Sequence, residues 1–482
     1  MLRSLILSAA VTALPLLAFA QAVQPGAPVQ ATPSDFNTAQ NFEDLLTALR
    51  GLDAHGLNPS HYRLAELEAM SAPNAARNQL AMTAWKLAAS HMLFGKLDPL
   101  SVEPDWTAKR RTADLSAQLQ LALTTETVVS SLDAIAPKQA GYAALKSAYS
   151  KARSDTASQT KISAGAALKP GQSGARVGEL QTRLGVPATG TFDAVTESSV
   201  RIFQREQGLD HDGIVGTASL AALNRGGAEQ LDALRVNLER WRWLPDDLGR
   251  RHVRVNIAGF SVTTWQDAKA VRTHLGIVGR RYRETPVFSD EIEYAVINPW
   301  WETPRSLTIR DKLPAFRRDP SAVKRLGFQI LDSSGRAVDP DTIDWANATS
   351  ANFPYRIRQA PGELNALGEV KIIFPNAHNV YLHDTPTRGL FAKQQRAFSS
   401  GCIRTQDPIA LTKWLLEETP AWPADRVDSV LTSKKETRAD LAARVPVHVL
   451  YFTVVAEDGV VRFLDDIYER DAAVLAGLRT TK

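Results

Sequence analysis

Apolar residues recur at different spacings along the chain, and the changes of spacing divide it. From residue 36 to about 152 they fall three and four apart, as in FEDLLTALRGL (42–52) and NQLAMTAWKLAASHMLFGKL (78–97). That is the period of amphipathic helices, interrupted by a turn at GLNPSHY (56–62). Between 168 and 224 three shorter stripes follow, separated by glycine-containing turns: Val177, Leu180 and Leu184; then Val195, Val200, Phe203 and Leu209; then Leu220 and Leu223. From about 235 onward the apolar residues become β-branched and aromatic in short runs: HVRVNIAGFSVTTW, EYAVINPWW, VKIIFP, NVYLHD and PVHVLYFTVV. Such runs bounded by turns predict strands. A more polar stretch of helical character, Thr303 to Trp345, reads as an insertion covering one end of that sheet. The tail after Asp471 is expected to fray.

The ends and joints carry different patterns. Arg3, the apolar run from Leu5 to Phe19 and the small-residue site Ala18-Phe19-Ala20 predict a secretory signal over 1–20. An uncleaved anchor is the alternative, against which the run is short for a span. QAVQPGAPVQATP begins a linker over 21–34, and a second occupies 153–167. No later segment is apolar enough to cross a bilayer. The chain thus reads as α+β multidomain: a helical N-terminal domain (35–152), a three-helix module (168–224) and a mostly β domain (235–470) with a partly helical insertion at about 303–345.

Composition changes this picture little. The residues are 44% hydrophobic and 22% charged, with net charge +4, ordinary for a globular protein. No Lys/Arg block reads as a nucleic-acid arm, so no nucleic-acid partner is expected. Cysteine usage changes it more. The 482 residues contain one cysteine, Cys402. Exported proteins use cysteine mainly in disulfides, and this one has no internal partner. An intermolecular bridge, an inert buried thiol or a reactive nucleophile remain.

The surroundings of Cys402 favour the nucleophile. A thiol nucleophile needs an imidazole to take its proton and return it to the leaving group, and an adjacent imidazolium would lower the thiol pKa. His383 lies nineteen positions earlier, at the end of the NVYLHD strand, and Cys402 opens CIRT. Period two places Tyr381 and His383 on one face and Val380 and Leu382 on the other. It likewise puts Cys402 and Arg404 opposite Ile403. If the apolar residues point inward, Tyr381, His383, Cys402 and Arg404 all line one cleft. Gly401 lets substrate backbone approach, and the N–H groups of Gly401 and Cys402 are candidate oxyanion donors.

The segment 168–224 resembles the three-helix peptidoglycan-binding domain, through G-x-x-V-x-x-L-Q-x-x-L, T-G-x-F-D-x-x-T, V-x-x-F-Q-x-x-x-G-L and D-G-I-V-G. HDTP…LF…RAFSSGCIR…DP resembles the L,D-transpeptidase catalytic motif. NLERWRWLP, TPVF, INPWWETP, IRQAPGELNALGEVKIIFPN and GFQILDSSGRAVDPDTIDW extend the likeness to the large periplasmic branch of that family, with its helical scaffold domain and capped catalytic domain. The resemblance implies Cys402 as nucleophile and His383 as base. It implies substrate-site positions for Arg404, Tyr381, Trp301, Ser399, Ser400 and Gly401. Many members carry histidine where this chain has Ser400, leaving His383 as the evident base. The imidazole is then expected to be oriented by a main-chain carbonyl, with Asp384 a turn residue.

The resemblance also implies a reaction. Cys402 attacks a donor tetrapeptide at its diaminopimelate–D-Ala bond, D-Ala leaves, and the side-chain amine of an acceptor diaminopimelate resolves the thioester into a 3-3 cross-link. Water as acceptor would give L,D-carboxypeptidase activity, and carbapenems should acylate the same thiol. The expected location is the periplasm; no cofactor or metal is expected. A serine D,D-transpeptidase is the weaker reading: SAVK (321–324) and SAN (350–352) match two of its motifs, but K-[ST]-G is missing. A zinc amidase lacks H-E-x-x-H. A wall-binding protein without activity is the alternative from another class.

Overall fold

The computed structural model describes residues 35–154, 161–457 and 459–481. The expected signal (1–20) and first linker (21–34) lie outside the described residues, as does the middle of the second linker.

The helical region runs from Ala39–Gly51 to Ala140–Ser154. Its long helix Ala75–Phe94 is N-capped by Asn74, which accepts from the Arg77 N–H, and ends at Gly95. It buries Trp85, Ala88, Ala89 and Met92 completely. Two segments far away in sequence complete this core. The helix Gly227–Arg242 brings Leu234, Leu238 and Trp241, and the helix Asp471–Arg479 brings Val474 and Leu478. Thus the tail expected to fray is an anchored helix, and a stretch adjoining the expected β domain belongs to the helical core. The fold class is otherwise as the sequence predicts: helical N-terminus, three-helix module, mostly β domain.

In the module the helices are Ala175–Arg183, Ala194–Glu206 and Thr217–Leu223. Val177, Leu180 and Val200 are buried as expected. Val195, assigned to the second stripe, is exposed; it lies two turns from Ile202, also exposed, on the outer face of its helix, opposite buried Thr196, Val200 and Gln204. Two buried glutamines hold the turns. Gln181 Nε2 donates to Thr189 Oγ1, the Thr191 carbonyl and Thr196 Oγ1, each at 2.9 Å, and its Oε1 accepts from the Gly190 N–H. Gln204 does the same toward Asp212, Ile214, Ser219 and Gly213. The offsets are identical, so the module is an internal duplication.

The large sheet of the β domain runs Ala397–Ser399, Lys269–Gly279, Ile403–Thr405, Leu382–His383, Val370–Ile373, Phe288–Ile297, Thr437–Leu450, Arg251–Asn256, Ser261–Gln266. Ser261–Gln266 pairs again with Lys269–Gly279 and closes the sheet on itself. Closure leaves an inner face packed with Val253, Val255, Ile292, Val370, Ile372, Val447 and Val449. A second, four-stranded sheet is built from Trp301–Glu302, Arg356–Gln359, Phe328–Leu331 and Ala337–Val338. Its own core holds Trp301, Phe316, Phe328, Trp345 and Phe353. The segment expected to be a partly helical insertion at 303–345 is therefore the middle of a mixed unit that reaches Gln359.

Candidate active site

Register decides which side chains meet. Leu382 pairs with Ile403 and His383 with Arg404 in a parallel ladder, and the Ile403 N–H donates to the Tyr381 carbonyl at 3.0 Å. On the other side Leu382 pairs with Ile372 and His383 with Lys371. Ile372, Leu382 and Ile403 form one fully buried row facing the core. Because partners across a ladder share a face, Lys371, His383 and Arg404 form the adjacent row on the other face. Tyr381 and Cys402 lie just before the strands Leu382–His383 and Ile403–Thr405 and hydrogen bond with each other. The ladder thus puts His383 and Arg404 on one face.

His383 is 5% exposed, and its Nδ1 lies 2.5 Å from the Asp384 carbonyl. A carbonyl only accepts, so Nδ1 carries the hydrogen and Nε2 holds the free lone pair. The Asp384 carboxylate is turned away and accepts from the Glu369 N–H at 3.0 Å. Burial, then the Arg404 and Lys371 charges on either side, push the imidazole down to about 3, against a smaller upward pull from the Asp384 carbonyl. It is neutral at physiological pH.

The thiol answers to other groups. Burial pushes Cys402 up, while hydrogen bonds with Tyr381 and the charges of Lys371 and Arg404 pull it back. Sγ lies 3.6 Å from the Asn379 carbonyl. That carbonyl is aimed by a turn organised around Asn376. Oδ1 of Asn376 accepts from the His378 and Val380 N–H groups, both at 3.1 Å, and its Nδ2 donates to the Val380 carbonyl at 2.8 Å. Asn379 itself takes φ +53°.

The loop before the thiol is fixed from beneath. Gly401 has φ +116°, open to glycine and strained for other residues. Its carbonyl accepts from Thr285 Oγ1 at 2.8 Å, and Thr285 in turn accepts from the Gly279 N–H at 2.9 Å. The Gly401 N–H donates to buried Ser399 Oγ at 3.1 Å, so one of the two candidate oxyanion donors is already engaged. Ser400 is exposed and accepts from Arg283 Nη1 at 2.9 Å; the same guanidinium pairs with Asp311 of the capping unit. Trp301, from the cap's first strand, is 9% exposed and hydrogen bonds with Tyr381. Lys371 Nζ lies 4.3 Å from the centre of the Tyr381 ring.

A cleft of about 440 Å³ opens beside Cys402, Gly401 and Ser400, and its lining also includes His378, Glu284, Arg470 and Asp105. All eight expected site residues lie in the β domain or its cap around the thiol. Lys371 and His378 were missed. Lys371 carried a signal: period two in VKIIFP sets it opposite Val370 and Ile372, a lone charge in an apolar strand. His378 carried none, because its neighbour Asp105 is remote in sequence. Among the described residues no group of three or more His, Cys, Asp and Glu side chains could hold a metal, and no helix is long and apolar enough to cross a membrane.

Comparison with known proteins gives these surroundings a context. Residues 250–427 match the model of the L,D-transpeptidase catalytic domain, 34–148 that of the scaffold domain, and 173–223 that of the "putative peptidoglycan binding domain". A "Putative L,D-transpeptidase" from Haemophilus influenzae is 38% identical over 241 residues, covering 50% of this chain and 48% of that protein. The chain thus matches about half the length of this curated relative. Among solved structures, an L,D-transpeptidase (residues 123–326) from Xylanimonas cellulosilytica is 14% identical with a TM-score of 0.18, covering 60% of this chain and 99% of the other. One from Stackebrandtia nassauensis is 13% identical with a TM-score of 0.24, covering 62% and 98%. At such scores the superpositions carry no structural argument.

Proposed function

We propose that the L,D-transpeptidase domain of this chain builds 3-3 cross-links in peptidoglycan through a thioester on Cys402. The observation that supports the reading is the ladder register: His383 pairs with Arg404, two positions from the chain's one thiol, and its Nδ1 is held by the Asp384 carbonyl, which leaves Nε2 to accept a proton. In the first half-reaction His383 Nε2 takes the thiol proton as sulfur attacks the carbonyl of the diaminopimelate–D-Ala bond. The C–N bond breaks, and the proton passes to the departing D-Ala amine. Lys371 and Arg404 stabilise the negative charge that develops at sulfur and at the carbonyl oxygen, together with the Cys402 N–H. Tyr381 and Trp301 form one wall of the donor site, and Ser399, Ser400 and Gly401 hold the loop. In the second half-reaction the amine of an acceptor stem displaces sulfur; water in its place gives carboxypeptidase activity.

The module at 168–224 would hold the chain on glycan and raise the local concentration of stems. The site of action is the periplasm, and carbapenems acylate the same thiol. Purified protein given a disaccharide-tetrapeptide should yield dimer, with tripeptide from hydrolysis. Cys402→Ala should yield neither, and should form no carbapenem adduct by mass spectrometry. Dimer formation by the alanine variant at the parent's level would sink the mechanism.

A further inference from the structure

The thiol has chemically different neighbours. Near it stand the cations Lys371 and Arg404. Also beside it lies the cleft whose lining includes two carboxylates, Asp105 and Glu284, the guanidinium of Arg470 that pairs with Glu284, and the imidazole of His378. Asp105 comes from the helical region, and the segment carrying it is clamped onto the β domain at several points. Arg470 pairs with Glu103 and, at 2.6 Å, with Glu284. Thr107 Oγ1 donates to the Ser289 carbonyl at 2.7 Å and accepts from the Ser289 N–H at 2.9 Å. Trp106 packs against both cores. Asp105 is thus a fixed part of the wall. Its Oδ1 lies 3.7 Å from His378 Nδ1, and the His378 ring is set against Phe288 with centroids 5.1 Å apart.

We infer that this wall receives the attacking amine of the second substrate, with His378 as the group that takes the ammonium proton and Asp105 as the residue that positions His378. The inference rests on the transpeptidase reading above. An alkyl amine of the lysine type is protonated at neutral pH and has no lone pair for attack. It must lose a proton to a base within reach. His383 is poorly placed for this, being 5% exposed and set between two cations that repel an ammonium group. The Asp105–Glu284 side attracts it, and the Asn379 carbonyl beside the thiol is a further acceptor for its N–H groups. The ammonium gives one proton to His378 Nε2. The free amine forms a C–N bond at the thioester carbonyl, the C–S bond breaks with its electron pair left on sulfur, and the amine's second proton returns to sulfur.

The test is the partition of the preformed thioester between amine and water, so that differences in acylation rate do not enter. A tetrapeptide donor forms the thioester, Nα-acetyl-lysine serves as acceptor, and products are counted by mass spectrometry. His378→Gln should lower the amine-to-water ratio tenfold or more. Asp105→Asn should lower it less, and Asp105→Glu should restore it. Hydroxylamine, unprotonated at neutral pH, needs no base and should partition alike in parent and variants. Parent-like ratios with Nα-acetyl-lysine in both His378→Gln and Asp105→Asn would overturn the assignment. So would an equal loss with hydroxylamine, which marks a deformed cleft and not a missing base. A parent protein that never acylates would instead remove the transpeptidase reading.

Discussion

Lys371, His383 and Arg404 stand side by side across three strands, and this row governs the ionisation of the whole site. Each cation lowers the imidazole pKa and each lowers that of the thiol. Replacing Lys371 by Met removes one of them while keeping most of the side-chain volume. The signs agree for both groups: the thiol and the imidazole should both titrate at higher pH. The pH dependence of iodoacetamide alkylation reports the thiol without ambiguity, because Cys402 is the only one in the chain. The midpoint should move up in Lys371→Met; a midpoint that stays or falls would show that Lys371 does not act on the sulfur. The sequence made half of this row legible. Period two placed His383 and Arg404 together because their neighbours Leu382 and Ile403 are apolar. It could not show that His383 is sealed from solvent, and burial is what keeps the imidazole neutral.

Among elements, the duplicated turns of the three-helix module show how short motifs encode structure. Gln181 and Gln204 each satisfy three acceptors and one N–H inside a small core, at matching offsets. Replacing either by Ala leaves several buried polar groups unpaired, at a cost on the order of 2–4 kcal/mol. Gln181→Ala and Gln204→Ala should therefore each lose hydrogen-exchange protection across 168–224 while Cys402 still acylates. Protection unchanged in both would mean that the glutamines do not hold the module. Helices with clear apolar stripes were readable from spacing alone. Gly227–Arg242 was not, because it buries Glu239, Arg240 and Arg242, which look like a solvated face. Arg242 pairs with Glu239 one turn away on the same helix at 2.6 Å, but its other partner, the His55 carbonyl, is remote, as is Asp471, which pairs with Arg240 at 2.6 Å. The helices of the capping unit were expected, but its short strands Trp301–Glu302 and Ala337–Val338 are too brief to show a period.

For the whole molecule, buried histidines set the response to acid. Burial is the main cause that pushes His383 down to about 3 and His91 and His252 down to about 4. Unfolded, each would titrate near 6.5. The folded chain therefore binds fewer protons than the unfolded one between these values, and stability is lost as pH falls from 6.5 toward 4. Each buried imidazole contributes up to about 2 kcal/mol of that loss by pH 5. Thermal melting between pH 8 and 4 should show a plateau above 7 and a steady fall below 6.5, shallower in His252→Gln. A melting temperature level down to pH 5 would contradict it.

The return of residues 471–479 to the helical core has a consequence in time. Synthesis delivers the chain in order, so the helical region is made before the residues at 471–479 that finish its core. Its core waits for Val474 and Leu478, its Lys96 for the carbonyls of Leu478 and Thr480, and its neighbour Arg240 for Asp471. Until then Glu103 also lacks Arg470, and the wall carrying Asp105 lacks one of its clamps. A chain stopped at 470 should consequently melt first in the region 35–154, measured by protease cleavage there, although every deleted residue lies at the other end. Cleavage confined to the neighbourhood of the cut would refute this. Built this way, the wall beside the thiol is not secured until Arg470 has been made.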